Sequence, residues 1–286
     1  MDFTTLITPE ELNQHLEDPN WAIFDVRFDL QDKGKGSQEY LKNHIPRAVY
    51  AHLEEDLSLP ASQQGGRHPL PPVEDLVRTL SHWGIDSKVQ VVAYDDRGGG
   101  IAARLWWILR YLGHNRVALL DGGFPAWLRA GLPTRQDNES RMPRTFHAEV
   151  QDRMLVQVEE VLKCIHDEGC LLIDSRAPER YHGLEEPIDR IAGHIPGAVN
   201  RFWQDNLDKD CHLLPKEALR EEWKAIIKDI PPQNTIVYCG SGVTGCFNIF
   251  AMTLAELEGA RLYDGSWSQW LEDPDLPMVL GTQEKA

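Results

Sequence analysis

The sequence predicts an α/β protein of two tandem domains, each a parallel sheet flanked by helices. Three observations carry this. Four sequence blocks recur in the same order in both halves. Several of these blocks hold short runs that are apolar on both faces, as buried parallel strands are. Each such run is followed by a helical pattern.

The repeat sets the domain plan. The first half reads AIFDVR at 22–27, NHIPRAV at 43–49, VQVVAYDDRGGG at 89–100 and LLDGGFPAWL at 119–128. The second half answers with LLIDSR at 171–176, GHIPGAV at 193–199, TIVYCGSGVTG at 235–245 and LYDGSWSQWL at 262–271. The offset runs from 143 residues (Asp121 to Asp264) to 150 (His44 to His194). One such match is within the reach of chance; four in order are not.

Within each copy the elements alternate. LLID and TIVYC read as buried strands. After Cys239, the residues Val243, Phe247, Phe250, Leu254 and Leu257 recur at steps of four and three, one face of a helix. Pro231 and Pro232 break the preceding helix. In the first half GGGIAARLWWILRYLG is the matching helix. The stretch from Pro133 to about Val156 is polar and aperiodic, the expected linker. The predicted division is a first domain over 1–140, a linker over 141–156 and a second domain over 157–286.

Composition limits the function. With 42% hydrophobic and 26% charged residues, the 286-residue chain has the profile of a soluble globular protein. A net charge of −16 argues against nucleic acid and anionic membrane as partners. No run reaches the ~20 apolar residues of a membrane span. The N-terminus has neither a basic stretch followed by an apolar run nor the arginines of a transit peptide, so a cytoplasmic location is expected. Cys164, Cys170, Cys211, Cys239 and Cys246 show no CxxC or zinc spacing and are expected to be free thiols in a reducing compartment. No metal set, P-loop or dinucleotide fingerprint is present, and no cofactor is expected.

The loop that carries chemistry is Tyr238-Cys239-Gly240-Ser241-Gly242-Val243-Thr244-Gly245. It joins a predicted strand to a predicted helix, so Cys239 falls where open α/β sheets place their sites. Gly240 and Gly242 let the backbone curl. Successive N–H groups in such a curl, with the helix N-terminus behind them, form an anion cradle. The cradle is expected to favour anionic sulfur on Cys239, first as thiolate and then as persulfide. The bland alternative, a buried structural cysteine in an ordinary turn, does not account for the Gly-Ser-Gly-Val-Thr sequence. Cys246 reads as a small buried apolar residue, with a disulfide to Cys239 as a regulatory alternative.

The loop, the paired DxR and HIPGA blocks, the DGSW block and the tandem layout together resemble the rhodanese superfamily over nearly the whole chain. Within it, the neutral Cys-Gly-Ser-Gly-Val-Thr loop is similar to that of the 3-mercaptopyruvate sulfurtransferases; thiosulfate sulfurtransferases typically carry Arg and Lys directly after the cysteine. The resemblance implies two rhodanese-like domains, the second catalytic. The first carries Asp95 in place of Cys239, and a carboxylate cannot hold a transferable sulfur. The implied reaction moves sulfane sulfur from 3-mercaptopyruvate through a Cys239 persulfide to a thiol such as thioredoxin or glutathione, or to cyanide. Thiosulfate is the alternative donor.

A donor carboxylate calls for an arginine fork. Arg180 in ERYHG and Arg190 in IDRIAGH are the candidates, with Gly240, Gly242, Val243 and Thr244 of the loop as further substrate contacts. Ser241 is the candidate proton relay. Asp56 and His68, in EEDLSLPASQQGGRHPLP, match the first-domain Asp and His that similar enzymes link to it, and Arg67 adds charge beside His68. Asp25–Arg27 and Asp174–Arg176 recur in both copies and read as structural, as do His44 and His194. A cysteine phosphatase reading fails on the missing Cys-x₅-Arg arginine, since Gly245 stands in that place. A non-catalytic binding module is hard to square with a retained cysteine and cradle.

Overall fold

In a computed structural model, residues 2–62 and 64–281 are described. The chain forms two compact units. The first comprises Met1–Leu59, Pro71–Gln151 and Leu207–Leu213. The second comprises Pro60–Leu70, Asp152–Asn206 and Leu214–Ala286.

The first unit holds strands β1 (Leu6–Ile7), β2 (Trp21–Asp25), β3 (Ala48–Tyr50), β4 (Gln90–Tyr94) and β5 (Val117–Leu120). Its helices are α1 (Pro9–Asn13), α2 (Lys35–Lys42), α3 (Val73–His82), α4 (Ala102–Tyr111) and α5 (Gly123–Arg129). The second unit holds β6 (Leu155–Val156), β7 (Leu171–Asp174), β8 (Ala198–Asn200), β9 (Thr235–Tyr238) and β10 (Arg261–Tyr263). Its helices are α6 (Val158–Cys164), α7 (Pro178–Tyr181), α8 (Lys216–Ile227), α9 (Gly245–Leu254) and α10 (Ser266–Trp270). Both sheets are parallel throughout, in the orders β1-β5-β4-β2-β3 and β6-β10-β9-β7-β8.

The expected α/β class, with two parallel sheets flanked by helices, is therefore what forms. Every residue of β2, β4, β7 and β9 is buried, because helices cover both faces. One expectation about α9 needs correction. It does not show a single apolar face: Gly245 through Met252 are all buried, and Val243 and Leu257 lie outside the helix. A helix enclosed on most sides has no polar face, so the four-three spacing saw only part of its contact surface. The expected linker has no regular structure over 141–151, but Asp152–Met154 form a 3-10 turn and its last two residues form the edge strand β6, paired with β10.

The reading of all five cysteines as free thiols is also corrected. Cys164 and Cys170 are joined in a disulfide, with Cα atoms 5.3 Å apart. α6 ends at Cys164, and the turn after it brings Cys170 back beside the helix end. That proximity comes from the turn and not from any recognisable spacing. Cys211, Cys239 and Cys246 are free. Among the described residues no helix is long and apolar enough to cross a membrane.

Each copy fixes the end of the strand beside its middle one, β2 or β7, with the same buried ion pair. Arg176 reaches Asp174 through Nε (3.0 and 3.1 Å) and Nη2, and it also donates to the Gly193 carbonyl. Its guanidinium lies 4.7 Å from the Trp267 ring centroid. Burial opposes the charge of Arg176, but the contacts with Asp174 outweigh it and hold its pKa above the ordinary arginine value. In the first unit Arg27 and Asp25 do the same, over Phe124. The HIP histidines serve the same corner: His44 stacks on Tyr40 and His194 on Tyr181, each with Nδ1 on that tyrosine's carbonyl.

Removing one partner leaves a buried charge alone, so Asp174→Ala should cost about 3–5 kcal/mol of stability in denaturant unfolding. A loss below about 1 kcal/mol, the range of an exposed pair, would show that the pair does not brace the sheet.

Candidate active site

β9 is the middle strand of its sheet and delivers Cys239 at its carboxyl end, 2% exposed. The peptide around Cys239 is gripped by the start of α10. The Cys239 N–H donates to Ser266 Oγ (3.1 Å), and the Cys239 carbonyl accepts from Trp267 N (3.0 Å). The next carbonyl, of Gly240, accepts from Ser268 N (2.9 Å). The Ser241 N–H points back at Cys239 Sγ, 3.5 Å away. α9 then begins at Gly245, with Thr244 as its cap residue, and directs its positive end toward the loop. Gly242 has φ 75°, and a Cβ there would lie 2.3 Å from the Asp264 carbonyl oxygen, so the turn admits no side chain.

The first unit shows what such a loop holds. Asp95, at the position matching Cys239, is fully buried. Its Oδ1 accepts from the N–H groups of Arg97 and Gly99, both at 2.8 Å. Its Oδ2 accepts from Ile101 (2.8 Å) and Ala102 (3.0 Å). Four backbone donors thus converge on one carboxylate. The loop of this fold is an anion nest, and in the first copy a side chain of the chain itself fills it.

Ser241 and His68 meet directly: His68 Nδ1 is 2.7 Å from Ser241 Oγ, and both are buried. The segment Pro60–Leu70, which carries His68, belongs to the second unit. It is clasped by the repeat block at 262–271. Arg67 N donates to Ser268 Oγ (3.1 Å) and Leu70 N to Asp264 Oδ2 (2.9 Å). Asp56 belongs to the first unit. There its carboxylate accepts the His52 N–H (2.8 Å), and burial, only partly offset by that bond, raises its pKa.

Over the loop stand two guanidinium groups. A Cβ added to Gly240 would lie 2.6 Å from Arg67 Nη2 and 3.3 Å from Arg180 Nη2. Between them sits a carboxylate that the sequence did not single out. Asp189 accepts from Arg67 Nε (2.9 Å) and Nη2 (3.4 Å) and from Arg180 Nη2 (2.7 Å). Arg180 Nε is held by both oxygens of Glu186, each at 2.9 Å. Burial would raise the Glu186 pKa, yet the Arg180 hydrogen bond, then the Asp189 N–H, bring it below the usual carboxylate value. Arg190 stands apart from this pair. Its Nη2 donates to the Leu271 carbonyl and lies 3.7 Å from Glu272, with the side chain 62% exposed. It meets Arg67 and Asp189 only across a cavity of about 300 Å³, also lined by Ser62, Ser268 and Leu271.

The structure thus gathers Cys239, Gly240, Ser241, His68, Arg180 and Arg67 into one site, bounded below by Gly242, Val243 and Thr244. Sequence reasoning missed Asp189, Glu186, Asp264, Ser266 and Ser268. The last three had a signal, since their block is one of the four repeated ones. Among the described residues no group of three or more His, Cys, Asp or Glu side chains could hold a metal ion.

Comparison with known proteins agrees with this fold. The family model described as a rhodanese-like domain matches residues 8–130 and again 157–273. A Pseudomonas aeruginosa protein named a probable 3-mercaptopyruvate sulfurtransferase is 42% identical, over 98% of this chain and 100% of its own. The Mus musculus protein named thiosulfate sulfurtransferase is 32% identical, over 94% of this chain and 91% of its own. Among solved structures, the 3-mercaptopyruvate sulfurtransferase from Leishmania major superposes with a TM-score of 0.83 at 29% identity, covering 96% of this chain and 76% of that one.

The crowding at Gly240 is directly testable. Gly240→Ala should push the Arg67 guanidinium off the loop and weaken the binding of sulfate about tenfold, the worth of one charged hydrogen bond. Calorimetric titration with unchanged affinity would mean that Arg67 does not belong to the anion site.

Proposed function

We propose a reaction for this chain on one premise: it belongs to the rhodanese-like family, and it is a sulfurtransferase. Cys239 is the sulfur carrier, 3-mercaptopyruvate the donor. The observation that carries the choice of donor is the hydrogen bond between Ser241 Oγ and His68 Nδ1.

The choice of donor turns on where a proton must go. Cys239 thiolate attacks the thiol sulfur of mercaptopyruvate, an S–S bond forms, and the donor's C–S bond breaks. The electron pair of that bond leaves with carbon as the enolate of pyruvate. The proton that the donor thiol carried must reach the methylene carbon, giving pyruvate and a Cys239 persulfide anion. Ser241, adjacent to the carrier and hydrogen-bonded to a buried imidazole, is suited to relay it. Thiosulfate needs no such relay: attack on its outer sulfur releases sulfite, which leaves as the dianion it already is. A Ser-His pair beside the carrier is therefore useful for one donor and idle for the other.

The N–H groups of the loop stabilise anionic sulfur, as the nest around Asp95 shows such loops can stabilise a carboxylate. Arg180, with Arg67, is the clamp for the donor carboxylate. Arg190, at the far rim of the cavity, is assigned a weaker part, in steering an anion inward. Asp56, whose carboxylate accepts the His52 N–H within the first unit, is given no part in the relay. In the second half-reaction a thiolate attacks the outer persulfide sulfur, takes it, and regenerates Cys239 thiolate. A small thiol, thioredoxin or cyanide can serve as this acceptor, in the cytoplasm. Thiosulfate remains the second donor, supported by the two guanidinium groups above a loop that itself carries no cation.

Turnover with the two donors side by side tests the reading. Cys239→Ser should abolish transfer from both and gain no sulfur by mass spectrometry. His68→Gln should lower kcat with mercaptopyruvate by about 10²–10⁴-fold, the usual worth of a general acid–base group. It should leave kcat with thiosulfate nearly unchanged. Equal losses with both donors would remove the relay, and with it the argument for mercaptopyruvate.

A further inference from the structure

The donor clamp is already occupied. The two arginines that face the sulfur-carrying loop do not present bare charge: both are bound to the Asp189 carboxylate, at 2.9 and 2.7 Å. We propose that Asp189 is a built-in occupant of the anion site, and that an incoming donor must displace its carboxylate from Arg67 and Arg180. In this role it determines specificity, holding the site to singly charged carboxylates and against compact dianions. The inference rests on the reading that Arg67 and Arg180 clamp the donor.

Three features support it. The first is the charge balance. The arginines Arg67, Arg176 and Arg180 are matched by the carboxylates Asp174, Glu186 and Asp189 through direct ion pairs. A cluster with three charges of each sign offers an anion no surplus of cation. Binding then exchanges one carboxylate for another, a swap that a carboxylate donor makes at little electrostatic cost. For a doubly charged donor the attraction of the arginines and the repulsion of a displaced but nearby Asp189 both double, so the balanced cluster gives it no net gain to set against its greater desolvation cost.

The second is position. Asp189 Oδ2 would lie 3.4 Å from a Cβ on Gly240, so its carboxylate stands directly over the residue after Cys239. Its side chain is only 4% exposed, and the cavity of about 300 Å³ opens on the same carboxylate. The third is the device in the other copy. There, too, a carboxylate of the chain itself, Asp95, fills the anion site of a loop. Asp95 is held by four backbone donors at the base of its loop. Asp189 is held only by side chains at the mouth, and its own N–H is tied to Glu186 (2.9 Å), which anchors the backbone while leaving χ1 to rotate.

The test measures binding rather than turnover, so it does not depend on sulfur transfer. In a Cys239→Ser background, calorimetry gives the Kd of pyruvate, a monoanion, and of sulfate, a dianion, with and without Asp189→Asn. The amide keeps the shape and one acceptor but loses the charge. The expected result is tighter binding of both anions, by about tenfold or more for pyruvate and by a larger factor for sulfate. Adding Arg180→Ala to Asp189→Asn should erase the gain. Asp189→Ser, with no fork to hold the arginines, should repeat it. Unchanged or weaker binding in both Asp189 variants would make Asp189 a brace for the arginines and overturn the proposal. An equal gain for the two anions would overturn its role in donor choice. If the binding shifts appear while the unmodified chain transfers no sulfur, the function proposed above falls and the role of Asp189 stands.

Discussion

The buried Asp174–Arg176 pair is the constraint on which the active-site loop depends. It closes the carboxyl end of β7 against the turn at Gly193 and packs beneath Trp267. Tyr238, the residue before Cys239, is hydrogen-bonded to Asp174 and accepts the Ile195 N–H at 3.2 Å. Burial, then the nearby Asp174 charge, raises the Tyr238 pKa well above its ordinary value, so the hydroxyl stays neutral. One ion pair thereby ties three elements to the last residue of β9: strand end, turn and α10. An ion pair this deep contributes little net stability against an apolar alternative. Its worth is geometric, because a desolvated fork fixes the angle and register of the groups it joins.

The same brace recurs in the first unit, where Tyr94 donates to Asp25 (2.8 Å) ahead of Asp95. Two copies with equal bracing end in different residues at one position, and that residue decides what the nest can do. A carboxylate with four donors at 2.8–3.0 Å is a permanent fill, saturated and inert. A thiol at the matching point accepts one N–H at 3.5 Å, a longer reach that suits a larger and softer atom. The nest predates the chemistry in the logic of the fold: strand, glycine turn and helix start build it, and the side chain either blocks it or uses it.

The parts of this molecule that could be read from sequence were those written in local pattern. The strands are continuous apolar runs, the loop has its glycines, and the repeat exposes the blocks that pack together. His68 was found by its match to similar proteins, and its distance from Ser241 only by the fold. What remained hidden was set by tertiary placement. Asp189 lies in EEPIDR, a polar stretch that reads as a solvated loop until Arg67 is brought to it from 122 residues away in sequence. Ser266 has φ 53°, a conformation no serine announces, and it holds the Cys239 N–H. The Cys164–Cys170 bond depends on one turn and not on a motif.

Donor choice in such a site is then a question of where charge is fixed and where protons can move. A dianion that leaves as a dianion asks for surplus cation and no acid. A keto acid that leaves as an enolate asks for one carboxylate fork and a proton. Around Cys239 the cations are balanced by Asp174, Glu186 and Asp189, while Ser241 and His68 share a hydrogen bond within the buried interior. The first comes from the α7–β8 connection and is independent of the loop sequence, whereas the second joins the loop's own Ser241 to His68 of the Pro60–Leu70 segment. They favour the same donor. A loop with no cation at positions 240 and 241 is the third feature to do so, and it explains why two arginines can approach Gly240 so closely: a lysine or arginine there would compete with them for Asp189.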